Sequence, residues 1–199
     1  MRETVTNSIR KRIRSRRRGW VFTPREFANL GSRAAIDQVL SRLQRSGVIR
    51  RLTRGLYDFP RIHPRIGVLS PSPDAIARAV AAKTHSRLSV SEAKAANLLG
   101  LSTQVPVQNL FLTDGPSRRV RIGKQTIILK HAAASRMVGA GSEAGVVIQA
   151  IRSFGRKGAG EVPVESLAKR LPATVKSDLK RLTSDAPGWT QPILKRISA

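Results

Sequence analysis

The side chains with the most chemistry to offer are cations and amides spaced at helical intervals. Between Ser32 and Ser46, Ala34, Gln38, Ser41, Arg42 and Arg45 recur on one stripe, flanked by Arg33, while Ile36, Val39, Leu40 and Leu43 form the opposite one. A stripe of this kind suits the major groove of a duplex. The Gln38 carboxamide can read adenine, and the guanidinium groups of Arg33, Arg42 or Arg45 can pair with guanine or contact phosphate. A second group, Arg50, Arg51 and Arg54, falls in two short apolar-polar runs, Val48–Leu52 and Leu56–Phe59, around Thr53-Arg54-Gly55. On such a hairpin these arginines would reach phosphates or the neighbouring minor groove. A solvated cationic face is the commoner fate of an amphipathic stripe. Here the position between a capped short helix and a basic hairpin favours recognition.

Catalytic constellations fare worse. No cysteine is present, which excludes thiol nucleophiles, disulfides and zinc–thiolate or iron–sulfur sites. His63, His85 and His131 lack the spacing of metal ligands. Of the twelve acids only Glu161 and Glu165 lie within four positions of each other, around Val162-Pro163-Val164, a pattern that starts a helix rather than holding a metal pair. Ser91-Glu92-Ala93-Lys94 matches Ser-x-x-Lys, but its partner motifs are missing and helix capping explains the serine. Gly139-Ala140-Gly141 with Gly145 imitates a dinucleotide loop without a preceding strand, and Gly155–Gly160 reads as a flexible basic loop. The expectation is therefore no enzyme, with no catalytic residue, cofactor or metal.

Several elements must position the cationic side chains. Val5, Ile9 and Ile13 predict a first helix whose other faces carry the Arg10–Arg18 run, stopped by Gly19. Trp20–Phe22 is long enough only for a strand stub. Thr23-Pro24-Arg25-Glu26 predicts a short helix opened by a capping box, and Ser32 caps the striped helix that Gly47 ends. Helix, short helix, helix and hairpin together predict a winged helix-turn-helix over residues 1–66, with Tyr57 and Phe59 packed inward. The proline-rich segment 60–72 reads as a linker or wrapping segment. Beyond it, Ser72-Pro73 starts a helix and Ser89–Glu92 a second capping box. Val107–Thr113 is a strand, Arg118–Ile122 and Gln125–Lys130 flank a Gly123-Lys124 turn, and helices follow from Glu143 with stops at Gly155, Pro172 and Pro187.

The charge balance points the same way. Among 199 residues, 37 Lys and Arg oppose 12 Asp and Glu, for a formal charge of +25. Residues 1–66 hold 17 of the cations and 4 of the acids, so half the excess sits in the first third of the chain. Self-repulsion on this scale calls for a polyanionic partner, and phosphate neutralisation with counterion release makes nucleic acid the leading one. Eight aromatics, 4% of the chain, do not interleave with the cations, which favours duplex DNA over single-strand stacking. No apolar run approaches membrane-spanning length, and no secretory leader is evident; the expectation is a soluble cytoplasmic protein without a membrane partner.

The stretch Val48-Ile49-Arg50-Arg51-Leu52-Thr53-Arg54-Gly55-Leu56-Tyr57, after a basic three-helix segment, resembles the N-terminal winged helix of AbiEi-type antitoxins. Ala95–Pro106, followed by Phe111-Leu112-Thr113-Asp114-Gly115-Pro116-Ser117, is similar to the antitoxin body of that family, and the likeness spans most of residues 20–135. The resemblance implies a bacterial type IV toxin–antitoxin module. Its antitoxin binds inverted repeats in its own promoter, represses the operon, and counteracts a nucleotidyltransferase-like toxin encoded beside it without a stable complex. The implied α+β architecture is a winged helix in 1–66 for DNA and a mixed α/β antitoxin domain with a helical C-terminus in 67–199 for neutralisation. A stand-alone transcriptional regulator and a non-specific basic nucleic-acid-binding protein, nucleoid-associated when bound, are the competing readings.

Overall fold

Apolar residues at spacing four dictate the first helix, α1 (Val5–Ser15), which buries Ile9 and Ile13 and is capped by the Thr4 hydroxyl. The computed structural model describes residues 4–199, so the first three residues of the expected N-terminal domain lie outside the described residues. The chain is mixed α+β and divides into two units, one running to His85 with Arg121–Gln125, the other comprising Ser86–Val120 and Thr126–Ala199. The first unit thus continues past residue 66, where the sequence suggested a boundary.

In the first unit, strand β1 (Val21–Phe22) leads into a 3-10 turn, Pro24–Phe27, and then helix α2 (Arg33–Arg45). The expected capping box at Thr23 does not form. Thr23 is buried and makes no side-chain cap, and a single 3-10 turn replaces the short α-helix. Ser32 does cap α2, accepting from the Ala35 amide at 3.3 Å. Strands β2 (Arg50–Thr53) and β3 (Leu56–Asp58) follow, and the sheet order is β1-β3-β2, all antiparallel. The turn requires Gly55, whose φ of +71° is a left-handed conformation other residues rarely adopt, and the register shifts between Arg51 and Thr53. Ile9, Ile13, Phe22, Phe27, Ile36, Leu40, Leu43 and Tyr57 close one core between α1, α2 and the sheet, with Phe59 packed at its edge.

The proline-rich segment, expected as a linker or wrapping segment, has regular structure of its own. It contains a two-stranded hairpin, β4 (Ile62–His63) and β5 (Gly67–Val68), with Ile62 opposite Val68. Helix α3 (Pro73–Ala82), capped by Ser72, completes the unit with Ile76, Ala77 and Val80 buried.

The second unit is built on a sheet of strands β6 (Leu88–Val90), β7 (Asn109–Thr113), β8 (Arg118–Ile122) and β9 (Gln125–His131) in the order β6-β7-β9-β8, of which only Arg121–Gln125, around the β8–β9 turn, fall in the first unit. β7 runs antiparallel to β6 and parallel to β9, an arrangement the chain reaches by sending β8 to the edge first. Helix α4 (Glu92–Leu98) is capped by Ser91, two residues later than the capping box read from Ser89, because Ser89 is a buried strand residue. Helices α5 (Glu143–Arg152), α6 (Val164–Arg170), α7 (Ala173–Leu182) and α8 (Gln191–Ser198) bury Val147, Ile151, Leu167, Leu179, Leu194 and Ile197 in a second core.

The glycines at 139 and 145 are a packing device. Gly139, at φ +66°, lies against Gly145 in the first turn of α5, where Ser142 caps the helix and also donates to the Gly139 carbonyl. A Cβ on Gly145 would overlap that carbonyl, and one on Gly139 would lie 2.8 Å from the Gly145 Cα. Gly145→Ala is therefore expected to lower stability by about 2 kcal/mol in urea unfolding, whereas Gly160→Ala, with open space around it, stays within about 0.5 kcal/mol.

Candidate nucleic-acid interface

Burial of Ile36, Val39, Leu40 and Leu43 forces the other side of α2 outward, so Arg33, Gln38, Ser41, Arg42 and Arg45 are all exposed, as are Arg51 and Arg54 on the hairpin. Among the described residues no carboxylate pairs with Arg42, Arg45, Arg51 or Arg54, and the acid that faces this set is Asp37, which accepts from Arg33 Nε at 2.7 Å. That i,i+4 pair is two-thirds exposed at its arginine end, which makes it a weak attachment, worth about 0.4 kcal/mol, that an incoming phosphate can displace.

Arg50 has a different place. Its Nε and Nη2 donate to the two oxygens of Asp58 at 3.1 and 2.6 Å, and Nη2 also donates to the Leu69 carbonyl at 2.9 Å. Asp58 is 1% exposed, so this fork supplies the hydrogen bonds that water cannot. Of the eight residues singled out from sequence, seven lie on open surface and Arg50 is bound into the framework.

The Arg10–Arg18 run divides in the same way. Arg12 donates to the Glu26 carbonyl and to Asn29 Oδ1, Arg18 to the Pro60 carbonyl while lying over the Phe59 ring, and Arg16 lies over Trp20. Arg10, Lys11, Arg14 and Arg17 are exposed.

The structure adds two cations that the linear pattern did not single out. A cleft of about 690 Å³ opens between the start of α2 and the β2–β3 turn, with Arg25, Arg33, Arg51, Arg54 and Lys83 on its walls and Asp37 as its acid. The Arg25 guanidinium donates to the Lys83 carbonyl at 2.6 Å, tying the 3-10 turn to the end of α3. Arg25 was visible in sequence only as part of a helix start. Lys83 reaches the cleft through tertiary packing, which no local pattern announces. The arrangement can hold anions along a groove; it offers no nucleophile–base pair. The three histidines are all exposed, and His63 Nδ1 accepts from the Arg65 amide. Among the described residues no group of three or more His, Asp or Glu is placed to hold a metal, and no helix is long and apolar enough to cross a membrane.

A family profile described as a family of unknown function, DUF6088, matches residues 8–179. The chain belongs to the DUF6088 family. The match covers most of both units: the cationic cleft falls within the DUF6088 region, as do the parts of the second core on α5 and α6, while α8 lies beyond it. No curated protein matches the chain. Among solved structures, the crystal structure of the RV2827C protein from Mycobacterium tuberculosis is similar over 98% of this chain and 83% of that one, at 16% identity and a TM-score of 0.44.

The separation between framework and surface arginines in this DUF6088 chain has a direct consequence. Arg50→Ala strands the buried Asp58 carboxylate and is expected to cost about 3 kcal/mol, the low end of the range for broken buried pairs because the outer edge of Arg50 reaches solvent. Adding Asp58→Asn should restore part of that loss, while Arg51→Ala should stay within about 0.5 kcal/mol; urea midpoints of the four proteins measure the difference.

Proposed function

We propose that the chain is a double-stranded-DNA-binding regulator whose first unit is a winged helix, with α2 as recognition helix and the β2–β3 hairpin as wing. The observation that carries this reading is the set of seven exposed side chains Arg33, Gln38, Ser41, Arg42, Arg45, Arg51 and Arg54 on one helix and the adjoining turn, opposed by Asp37. The sheet order β1-β3-β2, with α2 immediately before the hairpin, supports the winged-helix assignment. At 13 residues α2 is about 20 Å long and fits a groove about 12 Å wide. Gln38 and the neighbouring Arg42 offer base-edge contacts near the middle of the helix. Arg51 and Arg54 offer phosphate or minor-groove contacts, and the five-cation cleft suits the backbone between them.

Within this reading the DNA is the chain's own promoter, with inverted repeats, and binding represses the operon. The resemblance of Val48–Tyr57, Ala95–Pro106 and Phe111–Ser117 to AbiEi-type antitoxins supports a further role for residues 67–199, counteracting a nucleotidyltransferase-like toxin in a bacterial cytoplasm.

Fluorescence anisotropy on a duplex from the upstream promoter tests the first part. Arg54→Ala should weaken promoter and random duplexes alike and reduce the salt slope by about 1, whereas Gln38→Ala should change the preference between them by about 1–3 kcal/mol per site. Equal affinity for both duplexes at matched salt would leave only non-specific binding, and no binding at low salt would remove the reading. For the second part, co-expression with the adjacent gene should restore growth that this gene alone arrests. Rescue by residues 1–66 as complete as that by the full chain would contradict a role for residues 67–199.

A further inference from the structure

The β4–β5 hairpin is out of keeping with the rest of the first unit. Every residue from Arg61 to Val68 is exposed, including three large aliphatic side chains, Ile62 at 59%, Ile66 at 72% and Val68 at 52%. A two-stranded ribbon this short has no core of its own and is marginal when isolated. Yet its base is held at both ends by arginines already placed in the framework. Arg18 donates to the Pro60 carbonyl at 3.0 Å, Arg50 donates to the Leu69 carbonyl at 2.9 Å, and the Leu69 amide closes the ribbon on the Arg61 carbonyl at 2.9 Å. The tip, Pro64-Arg65-Ile66, is ordered by Pro64 and by the Arg65 amide donating to His63 Nδ1 at 3.2 Å.

A ribbon fixed at its base, projecting exposed Ile side chains and Arg65, is built to insert into something. The charge indicates what. From Phe59 to Pro73 the chain carries Arg61, Arg65 and His63 and no acid. An apolar protein surface would explain the isoleucines but gives the flanking arginines no complement. The DNA minor groove explains both, since proteins that enter it combine Arg with apolar wedges that part base steps. The base of the ribbon lies at the sheet end where Arg50 pairs with Asp58, opposite the Gly55 turn, so the two projections leave the same small sheet from opposite ends, about 10 Å apart along the strands.

We propose that residues 61–68 form a second DNA-contacting arm, in which Arg61 and Arg65 hold the backbone or minor groove and Ile66, with Pro64, acts as a wedge that bends the duplex. This rests on the duplex-binding reading above, and the experiment separates the two.

End-labelled promoter duplex is examined with the full-length chain by anisotropy for affinity and by end-to-end energy transfer for bending. Three variants are compared: Ile66→Ser, Arg65→Ala, and a chain in which Ile62–Val68 is replaced by a Gly/Ser loop of equal length. All three are expected to keep the parent melting temperature, because the residues changed are exposed. The parent should shorten the end-to-end distance. Ile66→Ser should abolish that shortening with less than about a tenfold loss of affinity, and Arg65→Ala should lower the salt slope by about 1. The loop replacement should do both. Parent-like affinity, salt slope and bending in the loop-replaced chain, while the parent binds, would overturn the arm and leave the winged-helix reading intact, assigning the exposed isoleucines to a protein partner instead. Failure of the parent to bind duplex at low salt would overturn both.

Discussion

A single buried charge organises the first unit. Asp58 is 1% exposed at the open end of the β2–β3 hairpin, where an unpaired carboxylate would be severely penalised. Arg50, directly across the ladder, meets it with a two-pronged fork, and its Nη2 also donates to the Leu69 carbonyl. One guanidinium thus holds the register of the hairpin and one foot of the following ribbon. Because Tyr57, next to Asp58, packs against Phe22 in the core, the fork also ties the hairpin to the helices behind it.

The surplus of positive charge has been sorted by this framework. Arg12, Arg16, Arg18 and Arg50 are spent on carbonyls, rings and Asp58, and their work is structural. On α2 and the β2–β3 hairpin, Arg33 keeps only its exposed pair with Asp37, Arg42, Arg45, Arg51 and Arg54 have no carboxylate partner among the described residues, and Arg33, Arg51 and Arg54 line the cleft that Arg25 and Lys83 complete. Such a field repels itself in the absence of a polyanion and is relieved by one, so the same charges that weaken the free chain would favour its proposed complex. The tight Gly139–Gly145 contact and the apolar second core read as scaffold.

Much of this was legible in the residues. The period of Ile36, Val39, Leu40 and Leu43 announced which face of α2 is buried, and Ser32, Gly47 and Gly55 marked the ends and the turn, because each acts through local backbone geometry. Failures arose where tertiary packing outranks local preference. Thr23 is buried before a single 3-10 turn and its side chain makes no cap. Ser89 is claimed by β6, leaving Ser91 to cap α4. The prolines at 60, 64 and 71 suggested a linker and concealed a ribbon whose stability comes from Arg18 and Arg50, distant in sequence. Arg50 itself looked like its neighbours Arg51 and Arg54, since nothing in a linear pattern reveals that the residue opposite it is a buried aspartate. Lys83 was invisible for the same reason. Sequence reading located the cationic surface and could not tell which cations were already committed.

The most direct measurement is amide hydrogen exchange of the full chain with and without a promoter duplex, resolved by peptide. Duplex-induced protection concentrated in 33–45, 50–58 and 61–68, with the α5–α8 peptides unchanged, is the expected result. Protection confined to residues 126–199, or none at a duplex concentration that saturates binding, would contradict a DNA-facing α2 and hairpin.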